Sequence, residues 1–135
     1  MKFVSMTLLL GSFLSFGAVY NPAAFNKVTM TGQYEWNQQR GKPGDIRAEF
    51  TPIKDGEWDV SFFFKFRGEN HTYSGTAFGN LTDGTLKGKV QNERKNRTWR
   101  FQGHVSGGNF KGTHVEINRS GKEEATGTIQ LTASK

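Results

Sequence analysis

From about residue 27 onward, apolar and polar positions alternate, and no apolar spacing of three or four persists. The clearest run is Trp58, Val60, Phe62, Phe64 and Phe66, with Glu57, Asp59, Ser61 and Lys65 interleaved. Successive strand residues point to opposite faces, so this pattern predicts a strand with one apolar face. Turn signals punctuate the chain at Asp55-Gly56, Asp83-Gly84, Gly107-Gly108 and Ser120-Gly121. Strands are predicted at about 27–36, 45–52, 57–66, 71–81, 85–91, 97–105, 110–117 and 123–131. Every connection is short, which makes neighbours antiparallel hairpins. The fold class this predicts is all-β: an eight-stranded antiparallel up-and-down (meander) β-barrel, with a two-sheet β-sandwich as the alternative.

A second pattern lies on top of the first. An apolar or small residue is followed two positions later by glycine at Met30-Gly32, Phe66-Gly68, Tyr73-Gly75, Leu86-Gly88, Phe101-Gly103, Phe110-Gly112 and Ala125-Gly127. The two residues share a strand face. Glycine on a buried face weakens a strand, so its repetition marks bends or close approach of another group. The hairpins then predict registers. Val90 faces Trp99 and Gly88 faces Phe101. Val105 faces Phe110 and Gly103 faces Gly112. Gly112 faces Ile129 and Phe110 faces Leu131. Around a turn at 67–70, Phe64 faces Tyr73 and Phe62 faces Gly75. Each keeps apolar residues on one face and sets glycines against rings or against each other.

The first residues read differently. Lys2 precedes a mostly apolar run from Phe3 to Phe16, and small residues follow at Gly17 and Ala18. That is the form of a secretory signal peptide, over 1–19, leaving one barrel domain at 20–135. The apolar run is short and interrupted for a membrane span, so no integral span is expected after signal removal. The chain has no cysteine, which excludes a lipid-anchored lipoprotein and leaves stability to core and ladder alone. A bacterial exported protein, periplasmic or extracellular, is the expected address.

Charge adds a place to look. Lys and Arg number 18 against 12 Asp and Glu. In a meander, alternate turns lie at one end. The end holding 37–44, 67–70, 92–96 and 118–122 collects Arg40, Lys42, Arg67, Arg94, Lys95, Arg97, Arg119 and Lys122. Beneath this lip the inward positions include Trp36, Phe64, Phe66, His71, Tyr73, Val90, Trp99, Glu116 and Ala125. An aromatic cup with a basic lip suits an amphipathic or anionic ligand. Trp36, Tyr73 and Trp99 would stack on it, Arg40, Arg67, Arg94 and Arg97 would attract an anion, and His114 or Glu116 would orient it. The plainer reading is a filled barrel with solvated, charged loops.

The seventh strand has two readings. Strict alternation brings His114 and Glu116 inside and sends Val115 and Ile117 out. A bulge near Thr113 would return Val115 and Ile117 to the core. Buried polar groups need partners, so an inward His114/Glu116 pair would be a ligand or catalytic candidate; the bulge is the favoured reading.

His71, His104 and His114 have no metal spacing, and there is no nucleophile motif, phosphate loop or paired-carboxylate signature. No cofactor, metal or catalytic residue is assigned. Lys87, Lys89, Arg94, Lys95, Arg97 and Arg100 could meet an anionic polymer or lipid headgroups, while an exported address argues against nucleic acid. Outward Phe63 and Phe78 offer a face for a homo-oligomer.

Gly56-Glu57-Trp58-Asp59-Val60, Tyr73-Ser74-Gly75-Thr76-Ala77 and Asn109-Phe110-Lys111-Gly112-Thr113-His114 resemble a group of small exported bacterial β-barrel proteins. That likeness implies an address and a fold but no activity. Met30-Thr31-Gly32-Gln33-Tyr34 is similar to the opening strand of avidins, and the architecture resembles avidin and lipocalin barrels. The avidin ligand loops and pocket tryptophans do not line up, so biotin binding is not implied. The expected function is a non-catalytic binding protein for a small molecule or anionic polymer at the basic end. The alternatives are a protein-binding or inhibitory barrel acting through its loops, and an enzyme using His114 and Glu116 as an acid/base pair.

Overall fold

The computed structural model describes residues 27–134, so the segment read as a signal peptide lies outside the described residues. Eight strands follow one another: β1 (Val28–Trp36), β2 (Gly44–Lys54), β3 (Glu57–Phe66), β4 (Glu69–Gly79), β5 (Gly84–Asn92), β6 (Thr98–Ser106), β7 (Asn109–Ile117) and β8 (Glu123–Ala133). A short 3-10 turn (Asn37–Gln39) follows β1. Each strand pairs antiparallel with its sequence neighbour, and β1 pairs with β8 to close the barrel. Closure excludes the two-sheet sandwich. Among the described residues no helix is long and apolar enough to cross a membrane.

The alternating face became the core. Met30, Ala48, Phe50 and Leu86 are fully inaccessible, and among the described residues no polar or charged residue is fully buried. Rings meet edge to face across the middle, Phe62 on Phe101 at 5.1 Å and Phe101 on Phe110 at 6.3 Å between centroids, the arrangement their quadrupoles favour. The end formed by the β2–β3, β4–β5 and β6–β7 turns is plugged. Leu81 folds in from its loop, and the Trp58 indole donates to the Gly79 carbonyl at 3.0 Å. Backbone bonds lace these turns together: Gly79 N to Gly56 O, Gly108 N to Thr82 O and Ala133 N to Gly108 O.

Three predicted registers hold: Val90 with Trp99, Val105 with Phe110, and Phe110 with Leu131. The β3–β4 hairpin differs. Phe62 pairs with Tyr73, Phe64 with His71 and Val60 with Gly75, a shift of two residues from the expected register. The connection is a two-residue turn, Arg67-Gly68, with both residues in the left-handed region (φ 52° and 80°). That is the type I′ geometry whose twist suits a hairpin, but its first position favours Asn, Asp or Gly. An arginine there hid the turn. A shift of two preserves parity, so the same side chains still face inward. Lys95, in the β5–β6 loop, is the only other non-glycine with positive φ among the described residues.

The expected bulge near Thr113 is absent. β7 pairs without interruption with β6, Phe101 opposite His114 and Trp99 opposite Glu116. Val115 and Ile117 therefore lie outside, and His114 and Glu116 inside. The irregularity falls on β8 instead: His114 pairs with Gly127 and Val115 with Ala125, leaving Thr126 as the extra residue. Thr126 answers the objection to an inward histidine. Its hydroxyl lies 2.8 Å from His114 Nδ1 and donates to the His114 carbonyl at 2.9 Å.

At the inner-face glycines Gly32, Gly75, Gly88, Gly103 and Gly127 the first obstacle to an added methyl is a backbone carbonyl of an adjacent strand, so the sheet itself is coiled too tightly for a Cβ. At Gly88 the methyl would also sit 2.8 Å from the Phe101 ring, and at Gly127 2.7 Å from His114 Nε2. On the outside, Phe78 is exposed and the Arg47 guanidinium lies 4.4 Å above the Phe63 ring.

Candidate functional site

Opposite the plugged end the barrel has an open mouth. A bowl of about 490 Å³ opens among the 3-10 turn, the β3–β4 turn and the ends of β6, β7 and β8. Below it lies a chamber of about 60 Å³, lined by Tyr34, Ile46, Phe62, Val90, Phe101, His114 and Ile129 among others. Trp36, Phe64 and Tyr73 line both spaces, so the two adjoin, and together they are called the funnel.

Trp36, the last residue of β1, is its hub. Its ring meets Trp99 at 5.1 Å, His114 at 5.4 Å, Phe66 at 5.7 Å and Tyr34 at 6.0 Å, all edge to face. On the facing wall, Phe64 stacks on His71 at 5.4 Å and on Tyr73 at 5.7 Å. The register shift produced this stack, because it set His71 beside Phe64.

Charge at the mouth is balanced, with Arg67 and Arg97 against Glu116 and Glu124. Arg97 Nε bonds Glu116 Oε2 at 2.9 Å, and its guanidinium lies 5.8 Å from the Trp99 ring centre. Arg67 lies 5.1 Å over the Phe66 ring, and among the described residues no ion pair involves it. Arg40 and Arg94 are exposed on their loops and line neither space. The basic lip is thus narrower than the charge count implied.

His114 is a half-buried imidazole of the funnel. Desolvation lowers its pKa to about 4, although nearby backbone at Glu35 and Thr128 favours the charged form slightly. The ring is therefore neutral at pH 7. Nε2 is buried without a hydrogen-bond partner, and so is Trp36 Nε1. The Tyr34 hydroxyl donates to the Lys65 carbonyl at 3.0 Å; burial raises its pKa, while the neighbouring Trp36 indole opposes this without forming a well-aligned bond. His114 and Glu116 do not bond each other, since each is engaged elsewhere.

The funnel brings together Trp36, Tyr73, Trp99, His114, Glu116, Arg67 and Arg97. Sequence reading missed Tyr34, Phe62 and Thr126. Alternation marked the first two as core without saying that they border empty space, and it placed Thr126 outside. Among the described residues no three His, Asp or Glu side chains converge as metal ligands. No protein-family model matches the chain, and no curated protein matches it in sequence. The site is therefore read from its own geometry.

Proposed function

We propose that this is an exported, non-catalytic binding protein, periplasmic or extracellular, that takes an amphipathic anion of small-molecule size into the bowl. The carrying observation is a bowl of about 490 Å³ with aromatic walls, within the size range of ligand pockets. The adjoining apolar rings, Trp36, Phe64 and Tyr73, suit the ligand's less polar part. A concave bowl of this size favours a small molecule over an anionic polymer. A concave, aromatic-walled mouth favours ligand binding over a barrel working only through its loops. Separate partners for His114 and Glu116 favour binding over acid/base catalysis.

Arg67 supplies the cation. A non-glycine, non-Asn residue at its φ of 52° costs about 1 kcal/mol, and strain of this kind accumulates at functional sites. The Arg67→Asn variant is therefore expected to stabilise the fold by about 0.5–1 kcal/mol and to weaken anion binding about tenfold. Tryptophan fluorescence titration with naphthalene-1-sulfonate, against neutral 1-naphthalenemethanol, measures the second effect. Loss confined to the sulfonate supports the reading. Equal binding of the sulfonate by the variant, or binding of neither probe by the native protein, removes it.

A further inference from the structure

The outer surface of the barrel is divided by charge. Outward positions on β1, β2 and β3 include Glu35, Asp45, Glu49, Glu57 and Asp59. Three cations beside them are paired, Lys27 and Arg47 with Glu49 and Lys54 with Glu57. Outward positions on β5, β6 and β7 hold no acid and carry Lys87, Lys89, Arg100 and Lys111. Among the described residues no ion pair involves Lys87, Lys89 or Lys111, and all three are exposed. None of the three lines the bowl or the chamber, so this face is separate from the funnel.

Register lays the face out. Lys89 stands directly opposite Arg100, a pairing of like charges that weakens a sheet. One acid answers it. Glu123, at the start of β8, accepts from Arg100 Nε at 3.0 Å and from Nη2 at 2.6 Å, while Arg100 Nη1 donates to Gln102 Oε1 at 2.8 Å. Arg100 is thereby held in place, and the three lysines keep their charge unanswered. Beside this pair, one row crosses five strands as Phe78, Lys87, Gln102, Thr113 and Thr128. Neighbouring strands lie about 4.8 Å apart, so the row presents a ring, a cation, an amide and two hydroxyls in close succession. Phe78 is 47% exposed, one of two large apolar residues open to solvent among the described residues. Lys111 stands in the next row, opposite His104.

We propose that the outer face of β5–β7 binds a linear acidic polysaccharide, a chain of uronate-type sugars. Its carboxylates meet Lys87, Lys89 and Lys111, its hydroxyls meet Gln102 and Thr113, and the C–H face of one sugar ring lies against Phe78. Attraction summed over three unpaired lysines gathers the polymer, and salt weakens it. A polyphosphate offers the charge but neither hydroxyls nor an apolar face. A lipid bilayer is flat, whereas this face is the convex side of a closed barrel. A plane meets the lysines of one strand or two, and a flexible chain follows the curve across all three. Single-stranded nucleic acid is held by stacking successive bases on several rings, and this face has one.

The probe is fluorescein-labelled polygalacturonate, followed by anisotropy, with neutral dextran, polyphosphate, oligothymidylate and phosphatidylglycerol vesicles as competitors. Polygalacturonate is expected to bind and to lose roughly 20–40-fold in affinity between about 50 and 200 mM salt, as three charge contacts require. Lys89→Gln/Lys111→Gln removes two of the three. It is expected to weaken binding about tenfold and to cut the salt slope to about a third. Glu123→Gln removes the one acid that reaches the face and is expected to tighten binding about threefold. Phe78→Ser is expected to weaken polygalacturonate about threefold and leave polyphosphate unchanged. These side chains lie outside the core, and thermal melts check that the variants fold. Polygalacturonate held no more tightly than dextran overturns the proposal. So does binding that Lys89→Gln/Lys111→Gln leaves unchanged, because loop cations are then responsible. Displacement by vesicles, polyphosphate or oligothymidylate as readily as by polygalacturonate also overturns it, because the face then reads charge alone. Naphthalene-1-sulfonate titration of the same samples reports on the bowl, so either reading can fail without the other.

Discussion

Replacing Gly32 with alanine is expected to lower the stability of the barrel by roughly 3–5 kcal/mol, a drop of roughly 15–25 °C in Tm for a domain of this size. Gly32 pairs with Ile46 on one side and Leu131 on the other, at the seam where β1 meets β8. A methyl added there would drive into the Gln130 carbonyl and come within 2.9 Å of the Leu131 Cα. Both obstacles are backbone, which cannot rotate aside as a side chain can, so relief requires the seam ladder to part. Gly56→Ala is the comparison. Gly56 has φ 73°, and a methyl added there would meet no atom within 4 Å, so that change carries only the left-handed strain of about 1–2 kcal/mol. Thermal melts of the two variants decide the matter: equal losses would mean that Gly32 is kept for backbone freedom and not for the closeness of the strands.

Acidification from pH 7 to pH 4 is expected to remove roughly 3 kcal/mol of stability through His114 alone. Its folded pKa is about 4 against an ordinary 6.5. Between those values the unfolded chain binds a proton that the folded protein refuses. The contribution is therefore complete above about pH 6.5, falls steadily below it, and levels off near pH 4. The Arg100 contact that holds the Glu123 carboxyl below its ordinary 4.5 begins to be lost only below that ordinary value, at the acid end of this window. Urea unfolding at pH 7, 5.5 and 4.5, for the native protein and His114→Phe, isolates the histidine: the native curve should fall more steeply between pH 6.5 and 4.5. Parallel curves would mean that the imidazole is hydrated and free to protonate.

Much of the fold could be read from alternation, because a barrel with one buried face repeats a period of two on every strand. Trp58 to Phe66 is the plainest example. What escaped were departures from the usual local chemistry. Arg67 occupies a turn position that Asn or Gly would have announced, so the β3–β4 turn was read two residues too long. His114 looked too polar for the interior, because its partner, Thr126, reaches it only through a bulge on another strand. The funnel was half legible. Inward aromatics at Trp36, Tyr73 and Trp99 are implied by parity, but whether rings fill a barrel or leave space depends on strand tilt and stagger, which no single strand encodes. Nor does alternation extend into loops, so Arg40 and Arg94 could be counted as charge at that end without being placed on the bowl.

The β1–β8 seam has a consequence for the order of events in folding. Seven of the eight ladders join strands adjacent in sequence, and the eighth joins the first strand to the last. A chain emerging from its amino end can form hairpin after hairpin, yet β1 keeps one unsatisfied edge until β8 arrives. Closure carries the longest loop entropy in the molecule and comes last. Until then the growing sheet presents an open strand to any other chain nearby. The dangerous interval in this protein's life is the wait for its final eleven-residue strand, and a truncation within β8 would make that interval permanent.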